Sequence, residues 1–334
     1  MSHAAEPAPT SLKAPPAETP SAKTRPGKTP SGKAPSGAPL QRAADRGSVK
    51  AWWYLLPALL VFAAFLFYPL GRSVFLSFQG SDLFGRPAGF VGVDHYLRLF
   101  TDSGFATVMG VTLGFTVLTV VPSIVLALAL ALLLHQKIKA VRFFRTAFAL
   151  PFAYSVATAS VIFGVMFNQA TGVLNGMLAF FGMDRIGWLT DPAWALLSVS
   201  LATVWMQLGY NLLVLSAGLG AVSDDIVEAA RLDGAHGWRM QRSIIMPLLT
   251  PQLFFLLVTG TIHALQSFGQ IHILTKGGPQ DSTTTLVYSI YEQAFANNNS
   301  NFGYASAQAV VLLIIVVAVS AVQFGVLERK VFYK

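Results

Sequence analysis

The chain alternates long apolar stretches with shorter polar segments from about residue 52 to its end. Six of the apolar stretches are long enough to cross a membrane, whose hydrocarbon core requires about 20 residues of α-helix. Each contains few or no charged side chains, so the pattern predicts six membrane-spanning helices. The stretches lie near Trp52 to Phe78, Thr107 to Leu134, Phe144 to Phe167, Trp194 to Leu219, Leu249 to Ile273 and Tyr304 to Leu327.

Composition also indicates a membrane protein built of helices. Of the 334 residues, 54% are hydrophobic and only 11% are charged, and the mean hydropathy is +0.56. The apolar runs are continuous rather than alternating, which excludes a transmembrane β-barrel. They contain prolines such as Pro122 and Pro151, which membrane helices tolerate better than soluble ones. The predicted fold class is all-α integral membrane.

The basic residues are distributed unevenly between the two sides that these spans define. With six crossings and the N-terminus inside, all but five of the 23 Lys and Arg residues fall on the inner side. Cytoplasmic loops of membrane proteins carry such an excess, so both termini are predicted to be cytoplasmic. This topology explains the formal charge of +8 without a nucleic-acid partner. The five outer residues are Arg72, Arg86, Arg98, Arg185 and Lys276.

Two further segments complete the organisation of the chain. Residues 1–50 are dominated by Pro, Ala, Ser, Thr and Lys. They have too little apolar surface to offset chain entropy, which predicts a disordered cytoplasmic tail before a transmembrane domain over residues 51–334. The apolar run Val173 to Phe181 is too short to span a bilayer, so we predict a re-entrant or interfacial helix.

Residue chemistry gives no indication of catalysis or of a bound metal. The chain has no cysteine, and its six histidines are scattered. It contains no nucleotide-binding glycine motif, no His-Glu-x-x-His motif and no serine-nucleophile motif. We therefore expect no catalytic residues, no metal ligands and no cofactor bound by this chain.

The polar segment 222–247, between the fourth and fifth stretches, is predicted to contain a short helix. Ser223 is a suitable N-cap, and Asp224 and Asp225 place acidic side chains in the first turn. Gly234 suits the C′ position that ends a helix. A helix of about two turns is not stable alone in water, so it must dock on another surface.

The middle of this helix is suited to contact a soluble partner. Ala229 and Ala230 form a smooth patch that another surface can approach closely. Glu228 and Arg231 beside them offer charge-assisted hydrogen bonds. We therefore predict that this segment contacts a soluble partner, which points to a membrane channel that is driven from outside itself.

The same segment resembles the cytoplasmic signature of the permease subunits of binding-protein-dependent ABC importers. In that signature, Glu-Ala-Ala is followed at fixed spacing by Gly, Ile and Leu-Pro. This chain matches it from Glu228 to Pro247, with Met246 where the family usually has leucine. Methionine is apolar and of similar volume, so the departure is conservative.

The resemblance extends over most of residues 52–334 and is closest to the carbohydrate-type permeases. Within that group, the chain is most similar to the first permease subunit of glycerol-3-phosphate/glycerophosphodiester importers, and the N-terminal tail lies outside the resemblance. The similar segments are residues 81–85, 90–96, 277–279, 283–288, 322–324 and 327–331.

The resemblance implies a fold, a location and a set of partners. It implies the type I ABC importer permease fold in a bacterial inner (plasma) membrane, and a heterodimer with a second permease subunit. It also implies two ATPase subunits, which alone use ATP, and an extracytoplasmic solute-binding protein. Solute would cross by alternating access. The residues implied to couple the permease to the ATPases are Glu228, Ala229, Ala230, Arg231, Asp233, Gly234, Ile244 and Pro247.

Polar side chains within the fourth and fifth stretches are candidates for the solute path. Such groups are costly in a membrane and usually face a cavity or another polar group. The spacing of His263, Ser267 and Gln270 predicts that they share one face of a continuous helix. Ordinary hydrogen bonds between helices remain the alternative explanation for each candidate. The candidates are Trp205, Gln207, Asn211, His263, Gln266, Ser267 and Gln270.

The sequence leaves the solute open. The resemblance favours glycerol-3-phosphate, a glycerophosphodiester or a related sugar. Phosphate usually pairs with Arg or Lys, however, and the middle of these spans contains neither, which keeps a neutral di- or oligosaccharide as the alternative. An ion-coupled secondary transporter would require carboxylates within the spans, and none lies in the middle of any span. A membrane scaffold without transport activity is the remaining alternative.

Overall fold

The computed structural model describes residues 48–82, 85–135, 141–296 and 300–328. The predicted tail therefore lies almost entirely outside the described residues, as do the basic C-terminal residues 329–334. The chain divides into two units, residues 1–59 and residues 60–334. All contacts described below lie within the second unit.

Within the described residues, four helices are long and apolar enough to cross a membrane. Two sharply bent helix pairs raise the number to six if each pair forms one span. The described residues thus accommodate the six predicted spans in the predicted order, although two of them are not continuous. The four helices are Trp53–Leu76, Ser103–His135, Pro192–Gly220 and Phe302–Val326.

The first span leads into a small hairpin and an amphipathic helix. It consists of α1 (Ser48–Phe62), a π-helical turn (Ala63–Phe67) and α2 (Tyr68–Leu76). The strands β1 (Gln79–Ser81) and β2 (Pro87–Phe90) then pair antiparallel, with Gln79 opposite Phe90. Helix α3 (Asp94–Thr101) buries Leu99 and ends two residues before the next helix begins.

The second span is the single long helix α4 (Ser103–His135). Thr112, Thr116, Thr119 and Ser123 are buried along it. Each of these hydroxyls donates to a backbone carbonyl three or four residues earlier in the same helix. Because these hydroxyls are satisfied within α4 itself, the helix buries a polar face at little cost.

The third predicted span, Phe144 to Phe167, is not one continuous helix. Helix α5 (Val141–Ala149) runs into a 3₁₀ turn (Leu150–Ala153), and α6 (Val156–Met166) leaves at an angle of 103°. Pro151 lies in this turn and has no backbone N–H to continue the helix. Ser155 is the N-cap of α6, and its Oγ accepts a hydrogen bond from Thr158 N at 3.1 Å.

Helix α7 (Val173–Phe180) and the fourth span follow. The short helix predicted at Val173 to Phe181 is thus confirmed as a helix. The fourth span is α8 (Pro192–Gly220), which is capped by Asp191, whose carboxylate accepts from Ala193 N at 2.9 Å. Helix α8 packs along α4, where the small side chains of Ala127 and Ala131 let the two backbones approach. The buried contact residues are Ala127, Ala131, Leu212, Leu215 and Leu219.

The predicted fifth span, Leu249 to Ile273, was wrong beyond Leu265. The chain forms α9 (Asp224–Leu232), α10 (Gly237–Met240), a π-helical turn (Gln241–Ile245), α11 (Met246–Leu248) and α12 (Thr250–Leu265). The segments on either side of Leu249 meet at 63°. Helix α12 ends at Leu265, and α13 (Gly269–Leu274) is a separate helix.

Hydrogen bonds connect the chain after residue 285 to the preceding spans. Helix α14 (Leu286–Tyr291) and a π-helical turn (Glu292–Ala296) precede α15 (Phe302–Val322), which ends in another π-helical turn (Gln323–Leu327). The first backbone N–H of α14, at Leu286, donates to Thr112 Oγ1 of α4 at 2.9 Å. Gln323 Nε2 donates to Thr261 Oγ1 of α12 at 3.1 Å, which joins the last span to the fifth.

Candidate functional site

A cavity of about 670 Å³ lies where α8 faces two interruptions of the helices. The first interruption is the turn between α5 and α6, which contributes Pro151, Phe152 and Tyr154. The second is the segment between α12 and α13, residues 266–268, all of which line the cavity. Non-helical backbone at membrane depth is tolerated where it is covered by protein or lines a cavity, and several transporter folds place solute sites at such breaks.

Helix α8 approaches the first interruption at Gly209. A Cβ at this position would lie 2.8 Å from the carbonyl oxygen of Ala149 and 2.9 Å from the backbone N of Phe152. These are backbone atoms, which cannot move aside as the end of a flexible side chain could. Gly209 is therefore required for the close approach that forms this wall of the cavity. The rings of Phe152 and Tyr210 complete the wall, with their centroids 5.7 Å apart.

The second interruption packs against the first. Gln266 ends α12, and Ser267 and Phe268 lie outside both helices. Gly269 begins α13 against α6, where an added Cβ would lie 3.0 Å from Val156 Cγ1. The cavity is therefore built from two breaks that support each other and from α8.

Six of the seven side chains predicted along the solute path line this cavity. The exception is Trp205, whose ring packs against Phe163 and Tyr154, with centroid distances of 5.4 and 6.0 Å. The prediction that His263, Ser267 and Gln270 share one face of a continuous helix was wrong. Helix α12 ends before Ser267, and Gln270 lies on the separate helix α13. They meet because the chain breaks between them. The six are Gln207, Asn211, His263, Gln266, Ser267 and Gln270.

The polar lining divides into hydrogen-bonded and open side chains. Gln270 is 7% exposed, and its Nε2 donates to Thr203 Oγ1 at 3.3 Å and to Ser267 Oγ. The Oε1 of Gln207 accepts from a serine of α4 at 3.4 Å. His263 and Gln266, in contrast, are exposed, and neither side chain hydrogen-bonds to another described residue. The first set holds the wall together, and the second is free to contact a solute.

Sequence reasoning missed several lining residues. Thr203, Thr259, Tyr154 and Tyr210 also face the cavity. In the sequence they stand in apolar stretches as β-branched or aromatic residues, which are typical of packing between membrane helices. Pro151 was the one available signal, since a proline can mark the point where a helix is interrupted.

Segment 222–247 begins with the predicted helix. Helix α9 covers Asp224–Leu232, and Ser223 Oγ accepts from Ile226 N at 3.4 Å. Gly234 has a φ of +80°, a backbone conformation that favours glycine. The predicted N-cap and C′ glycine are therefore confirmed.

One face of α9 packs against the chain itself and the other faces away. Ala230 is 7% exposed and belongs to the same buried cluster as Leu215 and Leu219 of α8. The prediction that Ala230 forms part of an outward patch was therefore wrong. Leu232 is 86% exposed. The outward face also carries the exposed residues Glu228, Ala229, Arg231, Asp233 and Gly234.

The two remaining signature residues lie after α9. Ile244 is partly buried and packs against the cluster that contains Ala230. Pro247 is partly buried in α11, next to the 63° bend. Both side chains therefore fix the connection between α9 and α12, whereas exposed side chains lie on α9 and also in α10, where Trp238 is 71% exposed.

Titratable side chains also lie outside the cavity. Among the described residues, no group of three or more His, Asp and Glu side chains is placed to hold a metal ion. Glu292 follows an aromatic cluster in which Phe268 stacks on His272 at 5.1 Å. Burial raises the pKa of Glu292, and the nearby carboxylate of Asp281 raises it further.

Comparisons with known proteins identify the class of this chain. The profile of a family described as binding-protein-dependent transport system inner membrane component matches residues 101–333. The sn-glycerol-3-phosphate transport system permease protein UgpA of Agrobacterium fabrum is 39% identical, over 84% of this chain and 96% of that protein. The proteins of that name from Brucella suis and Escherichia coli are 36% and 35% identical, over 88% and 87% of this chain and the whole of each relative.

Solved structures have the same fold. A chain of a bacterial alginate ABC transporter, in complex with an alginate pentasaccharide-bound periplasmic protein, superposes with a TM-score of 0.75 at 23% identity, over 87% of this chain and 97% of that one. A chain from a bacterial ABC transporter involved in alginate import gives 0.70 at 25% identity, over 86% and 99%. The fold is that of type I ABC permeases. The chain thus belongs to the family of binding-protein-dependent transport system inner membrane components, and it is a multi-pass permease of the inner membrane.

Proposed function

We propose that this permease imports sn-glycerol-3-phosphate, a glycerophosphodiester or a related sugar. The observation that carries the proposal is the similarity to permeases of that name at 35–39% identity, over nearly their whole length. A volume of about 670 Å³ also lies within the range of small-molecule sites. The open amide of Gln266 and the amide of Asn211 are suited to the hydroxyl groups of such a solute.

The chain works as one half of a heterodimer with a second permease subunit. Two cytoplasmic ATPase subunits drive transport, and an extracytoplasmic solute-binding protein delivers the solute. The chain itself binds no cofactor and hydrolyses no ATP. Both of its termini lie in the cytoplasm, on the same side as α9. The uneven distribution of Lys and Arg supports this orientation.

Coupling to an ATPase subunit takes place through the outward face of α9. Glu228, Ala229, Arg231 and Asp233 are exposed there, beside the exposed Leu232. A docking cleft would bury the apolar surface of this leucine, which is favourable. Ala230, Gly234, Ile244 and Pro247 serve the same contact indirectly, because they hold α9 against the membrane domain.

The solute passes the cavity by alternating access, contacting the open side chains rather than the hydrogen-bonded ones. We assign solute contact to the open side chains of His263 and Gln266, and to Asn211, which is buried in the lining but has no side-chain hydrogen bond to another described residue. Gln207, Ser267 and Gln270 shape the wall, and Trp205 supports it from behind through its contacts with Phe163 and Tyr154.

A neutral di- or oligosaccharide is the second candidate solute. One observation favours it: among the described residues that line the cavity there is no Lys or Arg. Either solute is compatible with aromatic rings in the lining, such as those of Tyr154 and Tyr210.

Uptake of radiolabelled solutes by cells that lack this chain tests the proposal. We expect the loss of sn-glycerol-3-phosphate and glycerophosphodiester uptake, and its recovery when the gene is restored. Normal uptake of both compounds together with lost uptake of a neutral sugar would establish the second candidate instead. Uptake that survives ATP depletion while the ion gradient is intact would indicate an ion-coupled transporter.

A further inference from the structure

The lining of the cavity contains one side chain that can carry a positive charge. Among the described residues that line it, His263 is the only His, Lys or Arg, and none is Asp or Glu. The lining also holds the phenols of Tyr154 and Tyr210, which supply hydrogen-bonding groups but no positive charge. Any charge that the described lining offers to an anionic solute therefore resides on His263.

The position of His263 makes this side chain available to a solute. It lies in the last turn of α12, one turn before the interruption at residues 266–268. It is exposed, and no hydrogen bond joins its imidazole to another described residue. Gln270, which also lines the cavity, is instead buried and bonded to Thr203 and Ser267.

A phosphate group requires charge-assisted hydrogen bonds in such a cavity. An anion that leaves water for a mostly apolar site loses hydration, and it must gain charge-assisted hydrogen bonds in return. Amides and hydroxyls can bind the glycerol part of a solute, but they supply no opposite charge. Imidazole supplies an N–H donor in either form, and a second donor with a positive charge when protonated.

We propose that His263 is the phosphate-contacting residue of this permease and that it sets the preference for phosphomonoesters over the less charged phosphodiesters. The inference rests on the proposed function, and it names the group that recognises the solute class. An ordinary packing role for His263 makes a different prediction, since loss of packing reduces the transport of every solute alike.

The test uses the complete transporter, reconstituted in proteoliposomes with its binding protein and ATPases. Initial uptake of sn-glycerol-3-phosphate, a phosphomonoester, is compared with uptake of a glycerophosphodiester, which carries less negative charge. His263→Gln keeps a polar side chain and removes the imidazole, the group that can carry a positive charge. His263→Lys restores a charge with a different shape. Gln266→Leu is the matched control, because Gln266 is the other open side chain at this end of α12.

We expect His263→Gln to lower phosphomonoester uptake about tenfold or more, because a lost charge-assisted hydrogen bond typically has that effect on binding. The diester should lose clearly less, His263→Lys should recover much of the phosphomonoester uptake, and Gln266→Leu should lower both solutes equally. Recovery of the intact complex by affinity purification establishes that each variant folds.

Two results would overturn the inference. If His263→Gln folds and transports both solutes as the wild type does, His263 does not contact phosphate, although the proposed function stands. If His263→Lys is as impaired as His263→Gln for both solutes, the role of His263 is structural. Failure of the wild-type complex to transport either phosphorylated solute overturns the proposed function, and this inference with it.

Discussion

Helix α9 and the cavity differ in how far apart their residues lie in the sequence. Helix α9 is formed by consecutive residues between the N-cap Ser223 and Gly234, which has a φ of +80°. The cavity is formed by residues from four separate helices and two interruptions, with contacts such as that between Gln270 and Thr203 spanning 67 positions of sequence.

This difference separates two kinds of recognition. A segment that docks on a conserved type of partner can be encoded locally, by a short run of side chains on a capped helix. A solute site inside the membrane requires exposed polar groups and a non-helical backbone, both of which are costly in lipid and need support from several helices. Single substitutions can therefore separate residues that hold the chain together from residues that contact a partner or a solute.

The largest expected effect distinguishes two adjacent alanines of α9. Ala230→Asp places a carboxylate in the chain's own buried cluster, where an unpaired charge costs several kcal/mol. We expect little folded protein in the membrane. Ala229→Asp lies on the exposed face, so it should leave the chain folded and remove the ATPase subunits from the purified complex. Size-exclusion chromatography in detergent measures both outcomes, and equal behaviour of the two variants would refute the division of α9 into two faces.

The second effect concerns the close approach of α8 to the first interruption. Gly209→Ala brings a Cβ within 3 Å of two backbone atoms, so we expect a loss of about 1–3 kcal/mol through overpacking and strongly reduced uptake. Gly110→Ala on α4 is the control, because nothing lies within 4 Å of the added Cβ. Thermal unfolding in detergent measures the difference. An unchanged unfolding midpoint for Gly209→Ala would mean that the backbone of this wall can shift to accommodate the added Cβ.

A third pair of variants separates the two sets of polar side chains in the cavity. Gln270→Leu removes the hydrogen bonds to Thr203 and Ser267, which should destabilise the chain by roughly 1–3 kcal/mol. Gln266→Leu should leave the unfolding midpoint unchanged and lower solute uptake. Thermal unfolding and uptake are measured on both variants. The reverse pattern, with Gln266 important for stability and Gln270 only for uptake, would contradict the assignment.

The smallest expected effect concerns Glu292, outside the membrane spans. Its pKa is raised in the folded chain by burial and by Asp281. The folded state therefore holds this proton more tightly than the unfolded state, so stability falls as pH rises from the ordinary carboxyl pKa through the raised folded value. Glu292→Gln should abolish this part of the pH dependence and raise the unfolding midpoint slightly at neutral pH. A midpoint that falls at neutral pH would show that the ionised carboxylate is stabilising.

Local signals explain which features could be predicted from the sequence. The spans follow from continuous apolar runs, and α9 follows from Ser223, its acidic first turn and Gly234. These features depend on residues that are neighbours in the chain. Even there, the burial of Ala230 was missed, because Ala230 belongs to a buried cluster whose other members, such as Leu215 and Leu219 of α8, lie on other helices.

The breaks in the third and fifth spans could not be predicted in the same way. Ser267 and Phe268 interrupt a span without any proline or glycine run before them, and the interruption is supported by α6 and α8, which are distant in sequence. The periodicity of an ideal helix grouped His263, Ser267 and Gln270 for the wrong reason. Their common location depends on tertiary packing, which a single span does not encode.

ATP-driven uptake by the reconstituted complex tests most directly whether α9 couples this permease to its ATPases. The wild-type chain is compared with Glu228→Ala, which truncates an exposed side chain of α9, and with Asp184→Ala, which truncates an exposed acid elsewhere. We expect Glu228→Ala to lower uptake of sn-glycerol-3-phosphate by about tenfold or more, as the loss of a charge-assisted contact implies. Uptake by Asp184→Ala should equal that of the wild type, and the unfolding midpoints of both variants should stay unchanged. Full uptake by Glu228→Ala would contradict the coupling role of α9.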